Sequence, residues 1–298
     1  MLGLQRTENI FKEILRRAGS DLIEISLVFE DQSLTRFANN AIHQNVVERN
    51  VTLIVRVILG KKIGLATSNR LDGHGLDELV SRARNNAKSS PEDPDYPGLP
   101  GPAEYKHVEA FDPHTAEYSP EARAKAVGQI CRLAHEKGLN GSGTFSTAIH
   151  EIAVANSLGV FAYTARTGAD FQTVIMSEDS SGREHGSGFR VDDIPIESLF
   201  RKAIKKAENA RHPREIVSGD YTVVLTPYAT EDLLNMLNYH GMGAQSVLEG
   251  RSWMNDRIGV KAMSELISIW DDGLDSGGVP VPFDFLLVAE QRLDSIKK

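Results

Sequence analysis

Two His-Glu pairs are the residues of this chain whose types could support metal chemistry. They are His135-Glu136 and His150-Glu151, and such a pair forms the first half of the helical zinc motif of many metallopeptidases. Neither pair is followed by a second histidine at the spacing that puts two imidazoles on one face of a helix. We interpret His150, which lies in a run typical of a strand, as a surface or strand residue, and we expect no metal at either pair.

A glycine-rich loop with three acidic residues, Asp271, Asp272 and Asp275, has the composition of a calcium site. An EF-hand loop that began at Asp271 would need a bidentate Glu at its twelfth position, where this chain has Pro282. Turn formation by Asp and Gly explains the loop better. The sequence also contains neither a G-x-S-x-G nucleophile turn nor a glycine-rich phosphate loop that ends in Gly-Lys-Ser or Gly-Lys-Thr.

The densest basic cluster lies on a predicted helix over residues 201–214. Its members are Arg201, Lys202, Lys205, Lys206, Arg211 and Arg214. Leu199, Phe200 and Ile204 supply an apolar side at helical spacing, so we interpret the charges as a solvated helix face. A nucleic-acid contact is the alternative interpretation.

The elements that must position these groups alternate between helical and strand patterns. Helices are predicted over 5–18, 72–88, 196–212 and from Ser119-Pro120 onward, where Ser is suited to the N-cap and Pro to the first turn. Strand patterns occupy 21–68, with a hairpin corner at Gly60-Lys61, and 142–190, with turns at 157–159 and 181–183. Five prolines make 89–102 a surface loop. A short strand followed by a helix is predicted from Tyr221.

Composition excludes several classes of protein. The 298 residues carry 33 Lys and Arg against 41 Asp and Glu, a net charge of −8, which disfavours non-specific binding of nucleic acids. Cys131 is the single cysteine, so an intrachain disulfide and a cysteine-rich zinc site are excluded. The sequence shows neither a signal peptide nor an apolar stretch of ~20 residues. We expect a cytoplasmic protein without a membrane partner.

Three stretches together resemble the TldD/PmbA family, often labelled modulators of DNA gyrase. The first, residues 33–72, contains the run R-F-A-N-N-A-I-H-Q-N followed by V-R-V and G-L-A-T-S-N. The second is residues 221–253, which end in L-E-G-R-S-W, and the third is P-F-D at 282–284. The resemblance covers nearly the whole chain.

In that family one subunit type is a zinc metallopeptidase with H-E-x-x-x-H on a helix, and it pairs with a paralogue that lacks the motif. Leu233-Leu234 are taken to match the two leucines before the motif. In that register His240 matches the second His of the motif, and Gly241 matches the glycine beside it. Asn235 and Met236 then replace the first His and the Glu. The resemblance therefore implies a PmbA-like (TldE-like) subunit without catalytic residues, and zinc in the partner subunit. Residues five apart lie ~140° round a regular α-helix, so the helix must end or distort before the second His.

Several roles stay open at this stage. His240 is either a histidine at a helix C-terminus, favoured there by the helix dipole, or a remnant metal ligand. Glu249, Arg251 and Trp253 form either a packing and turn motif or a contact with the partner subunit or a peptide. The partner is either a TldD-like metal-binding subunit or a second copy of the chain.

The sequence thus predicts an α+β protein, with an N-terminal domain over 1–215 built from an antiparallel sheet and packed helices. The resemblance implies that residues 216–298 are the start of a β-rich C-terminal domain, which we expect to be truncated. It also implies the function of the non-metal subunit of a cytoplasmic peptidase complex that acts on small or unfolded peptides. A regulator of DNA gyrase or nucleic acid, acting through the basic helix, is the alternative.

Overall fold

The computed structural model describes residues 1–257, 259–261, 263–275, 277–278 and 280–283. The chain divides into two compact units. The first is Met1–Pro213 together with the described residues of Gly273–Gln291, and the described residues of the second lie in Arg214–Asp272. Residue 284 of the P-F-D stretch, and the rest of the segment 216–298 beyond it, lie outside the described residues.

Within the described residues, one antiparallel sheet of six strands dominates the first unit, in the order β3-β2-β1-β4-β5-β6. The strands are β1 Leu22–Ala38, β2 Ala41–Leu59, β3 Lys62–Ser68, β4 Asn140–Asn156, β5 Phe161–Met176 and β6 Ser181–Gly188. The predicted corner at Gly60 is confirmed, with φ of 66°. The turn predicted at 181–183 is wrong, because β6 begins at Ser181.

A second tight hairpin, between β1 and β2, was absent from the sequence prediction. Its corner is Asn39-Asn40, with φ of 52° and 59°. Two consecutive positive φ angles are typical of a type I′ turn, whose twist suits a two-residue hairpin, and asparagine tolerates this region better than most residues. The Asn40 side chain fixes the corner to β4: its Nδ2 donates to the Leu139 carbonyl at 2.7 Å and its Oδ1 accepts from the Gly141 amide at 2.7 Å.

Helices cover one face of this sheet. The bounds are α1 Leu4–Ala18, α2 Gly73–Ser89, α3 Pro113–Ala116, α4 Pro120–Glu136 and α5 Ile196–Asn209. One buried cluster joins α1 and α2 to β1, β2 and β3, and a second joins α4 and α5 to β4, β5 and the end of β1. Ser119 caps α4 as predicted, accepting from the Ala122 amide at 3.2 Å. These helices and the antiparallel sheet confirm the α+β prediction.

The second unit is poor in regular structure. It contains helix α6 Pro227–Leu237, a π-helical turn Asn238–Met242 and helix α7 Ala244–Leu248. The strand predicted from Tyr221 does not form: residues 221–226 carry no regular structure, and Val224 is 97% exposed. A strand needs a neighbouring strand to satisfy its amides, and no described residue pairs with this segment.

No helix in the described part of the chain is both long enough and apolar enough to cross a bilayer.

Candidate functional site

Helix α6 carries the residues that the sequence analysis matched to the metal motif. It starts at Pro227, whose missing amide hydrogen is harmless in a first turn, and it gives way to the π turn after Leu237. Asn235 and Met236 lie in its last turn, and His240 lies within the π turn. A π turn accommodates an extra residue per turn and is frequent at functional sites. The distortion expected before His240 is therefore present.

Close packing of Trp253 against Gly241 holds this turn. A Cβ added to Gly241 would lie 2.1 Å from both Cδ1 and Nε1 of the indole, so only glycine allows the ring to approach. Next to it, the buried Ser252 hydroxyl donates to the Gly241 carbonyl and accepts from the Met254 amide at 2.9 Å. The turn is thus fixed by contacts made within the second unit.

Glu249 and Arg251 lie beside this packing on the surface. The Glu249 carboxylate accepts from Gln245 Nε2 at 2.9 Å and from Arg251 Nε at 2.7 Å. The hydrogen bond from Gln245, followed by that from Arg251, lowers the pKa of Glu249. Both charged side chains are largely exposed, and exposed pairs of this kind add little stability. Arg251 and Glu249 are therefore available for contact with another molecule, which stays a prediction.

The side chains around His240 do not fit a zinc ion. Zinc takes thiolate, imidazole and carboxylate ligands, whereas the neighbouring positions 235 and 236 supply an amide and a thioether. The His240 ring instead contacts Tyr239 edge to face, with 5.1 Å between ring centroids. Among the residues that the structure describes, no three His, Cys, Asp or Glu side chains come together as a metal site.

The other sequence candidates lie elsewhere. His135 and Glu136 end α4 and are exposed, and Asp275 accepts from the Gly277 amide at 2.8 Å, as expected of a turn. The helix predicted over 196–212 forms as α5, which ends at Asn209, so the prediction that Arg211 and Arg214 of the basic cluster lie on it is wrong.

The face of the sheet that the helices leave open carries a polar site that the sequence analysis did not identify. Glu30 on β1, His150 on β4 and Arg166 on β5 are directly opposite one another in a single cross-strand row. The His150 Nδ1 lies 3.6 Å from a Glu30 carboxylate oxygen. Burial first, and then the nearby Arg166, lowers the pKa of His150. The strand placement predicted for His150 is confirmed, but its charged neighbours are brought together only by the fold.

Small residues make a hollow beside this row. Two positions further along the same face, Ala148 and Gly168 pair with each other, and a Cβ on Gly168 would meet no atom within 4 Å. The resulting cavity of about 250 Å³ is lined by Arg166, His150 and, at its other side, Asp170. Asp170 accepts from or donates to His185 Nε2 at 2.5 Å, according to which of the two holds the proton. All the lining residues belong to the first unit.

Comparison with protein families covers most of the chain. Residues 23–87 match PmbA/TldA metallopeptidase domain 1, residues 111–211 match the central domain, and residues 218–298 match the C-terminal domain. A "Metalloprotease TldD homolog" of Buchnera aphidicola is 23% identical over 252 residues, which are 79% of this chain and 52% of that protein. The chain therefore spans about half the length of this curated relative.

Solved structures share the fold. A protein of Thermotoga maritima described as a modulator of a DNA gyrase superposes with a TM-score of 0.86 at 18% identity, over 98% of this chain and 70% of that one. TldE from Thermococcus kodakarensis gives a TM-score of 0.79 at 19% identity, over 96% and 66%. At these identities the likeness concerns the fold alone.

Proposed function

We propose that this chain, which belongs to the PmbA/TldD metallopeptidase family, is a subunit that does not itself bind the catalytic zinc and that works with a zinc-bearing relative on peptides. The observation that carries the proposal is the pair Asn235-Met236 in the last turn of α6, ahead of a π turn that carries His240.

The chemistry of metal-assisted hydrolysis explains why this pair matters. A metal-bound water needs imidazole or carboxylate ligands around the ion and a base that removes its proton. The amide of Asn235 cannot take up a proton near neutral pH, and neither can the thioether of Met236. His240 alone would provide one ligand, so water activation on α6 of this chain lacks both its base and most of its ligand set.

Residues around the π turn that are not matched to metal ligands support a structural role for this region. Gly241, Ser252 and Trp253 keep the π turn folded without a metal, and Glu249 and Arg251 stay exposed beside it. We propose that this surface contacts the partner subunit or the peptide. The partner is a TldD-like zinc subunit in the first instance, and a second copy of this chain is the other candidate.

We also propose a cytoplasmic location, on the basis of the acidic composition and the single thiol. Cys131 lies on the buried face of α4, and burial raises the pKa of its thiol. A buried thiol of raised pKa is a packing residue and not a redox group.

The test is to purify this chain alone and with an H-E-x-x-x-H subunit from the same organism, and to measure bound zinc and hydrolysis of unstructured peptides. The isolated chain should contain no stoichiometric zinc and should not hydrolyse peptides. The mixture should contain zinc and should hydrolyse them. The same measurement on the mixture with Asn235→Ala and Met236→Ala should change neither zinc content nor turnover markedly, because these side chains supply no catalytic group. Stoichiometric zinc and hydrolysis by the isolated chain would refute the proposal.

A gyrase-linked or nucleic-acid function is a second candidate, favoured by the description of the Thermotoga relative. On α5, however, Arg201 pairs with Glu197 at 2.7 Å and Lys206 pairs with Glu184 at 2.7 Å, so part of the positive charge is neutralised. Lys202 and Lys205 are exposed beside them. If this helix binds DNA, Lys202→Gln with Lys205→Gln should reduce the salt dependence of binding by about two charges, and an absence of binding at low salt would exclude the function.

A further inference from the structure

An arginine that makes no ion pair with the described residues lines the hollow on the open face of the sheet. The Arg166 Nε is buried and finds no hydrogen-bond partner in the part of the chain that the structure describes. In the described part of the chain, no carboxylate lies within ion-pair distance of this guanidinium, and Glu30 attracts it only from further away. Burial lowers the pKa of Arg166, as expected where a cation has lost water without gaining a counter-ion. A buried guanidinium nitrogen without a hydrogen-bond partner is costly, so a ligand that accepts from it would stabilise the site.

Two neighbours of Arg166 shape the hollow: Gly168 leaves it unfilled, and Asp170 adds a polar group to its lining. Gly168 follows Arg166 on the same face, and a Cβ built on it would meet no atom of the described residues within 4 Å. Across the hollow, Asp170 is already engaged with His185 at 2.5 Å. Asp170 thus makes its close contact with His185, and among the described residues Arg166 remains a cation of the cavity that has no ion pair.

We propose that this hollow is a binding site for a carboxylate, with the Arg166 guanidinium as its counter-ion. The planar guanidinium presents parallel N–H donors that match the two oxygens of a carboxylate. A single negative charge suits the site better than a dianionic phosphate, because Asp170 in the lining and Glu30 beside His150 are close enough to repel a second charge. The site is independent of the proposed role in a peptidase complex.

The size of the cavity limits the ligand. Sites for drug-sized molecules occupy roughly 300–1,000 Å³, and this cavity has about 250 Å³. It therefore admits one small acid or the last residue of a peptide, and excludes a longer ligand lying within it. The C-terminal carboxylate of a peptide and the carboxylate of a free small acid share the recognised chemistry.

The experiment measures binding to the purified chain by calorimetry, with three probes that separate these sources: trialanine as the free acid, trialanine with an amidated C-terminus, and acetate. The free acid should bind at least about tenfold more tightly than the amide, because only the acid offers two charged oxygens to Arg166. If acetate binds as tightly as trialanine acid, the ligand is a small acid; if acetate binds much more weakly, it is a peptide end. Equal binding of acid and amide, or no binding of any carboxylate, would overturn the proposal.

Three variants tie the binding to the hollow. Arg166→Gln should weaken binding of the free acid by at least about tenfold, while Arg132→Gln, an exposed arginine of α4 on the helix-covered side, should leave it unchanged. Gly168→Val fills the hollow with a side chain that suits a strand, and should abolish binding with the charge still present. Melting curves check that each variant is folded, and Gly168→Val provides the test if Arg166→Gln is not. Unchanged binding in a folded Arg166→Gln or Gly168→Val would also overturn the site.

Discussion

Replacement of Gly241 by alanine should displace Trp253 and loosen the π turn that carries His240. The added Cβ would lie 2.1 Å from Cδ1 and Nε1 of the indole, whereas carbon atoms in contact are ~3.5–4 Å apart. The ring must therefore move by more than about an ångström. Overpacking of this kind costs about 1–3 kcal/mol, and the buried hydrogen bond from Ser252 to the Gly241 carbonyl, worth ~0.5–1.5 kcal/mol, is strained with it. We expect the second unit to lose about 2–3 kcal/mol of its free energy of unfolding.

The assay uses tryptophan fluorescence, because the chain has 2 tryptophans and Trp270→Phe leaves Trp253 as the single reporter. In that background Gly241→Ala should shift the emission to longer wavelength and lower the urea midpoint of the Trp253 signal. Gly243→Ala is the matched control, since a Cβ there meets no atom within 4 Å and the backbone, at φ −72° and ψ 136°, accepts any residue. Identical emission and midpoint in the two variants would show that the indole does not pack on Gly241.

Three further predictions concern the first unit. A methyl group on Gly64 would sit 2.0 Å from a backbone nitrogen of α2, so Gly64→Ala should lower the melting temperature by separating α2 from β3, and an unchanged melting curve would contradict this packing. The Glu151 carboxylate accepts hydrogen bonds from the Leu2 and Gly3 amides just before α1, at 2.6 and 2.7 Å, and from the Tyr163 hydroxyl. Glu151→Gln removes the negative charge of this acceptor. It should cost about 1–3 kcal/mol in urea unfolding, and a cost near zero would refute the role of the charge. His150 should titrate below 6.5 by NMR and move upward in Arg166→Gln, and a wild-type value at or above 6.5 would be inconsistent with its burial. Because the unfolded chain then binds this proton more readily than the native one, stability contributed by neutral His150 is present above pH 6.5 and is lost as the pH falls toward the native pKa.

Local signals predicted the elements whose ends are set by single residues. Ser119-Pro120 marks the start of α4 and Gly60 the corner between β2 and β3, because capping and positive φ are properties of the residues themselves. Asn39-Asn40 offered the same kind of signal, since consecutive asparagines favour a type I′ turn. The sequence prediction placed one continuous β pattern across them and missed the corner.

Non-local contacts account for what the sequence analysis missed. Glu30, His150 and Arg166 come from three strands and meet only because β4 pairs with β1 on one edge and with β5 on the other. Nothing within the β4 pattern around His150 specifies these partners. The strand predicted from Tyr221 does not form because the contacts it needs are missing among the described residues. Val223 and Val224 have high β propensity, but a strand forms only where another strand supplies its hydrogen bonds.

The helix end at His240 shows that shape and chemistry can be separated in this region. The π turn depends on Gly241, Ser252 and Trp253, none of which is a metal ligand. Asn235 and Met236 lie exposed on α6 just before the turn, so replacing their side chains changes the ligand set without removing the Gly241, Ser252 and Trp253 contacts. A chain with this division of roles can present the same backbone surface to a partner whether or not it binds zinc. If the chain is the subunit proposed above, loss of the Gly241–Trp253 packing should weaken its assembly with the zinc subunit, whereas changes at positions 235 and 236 should not.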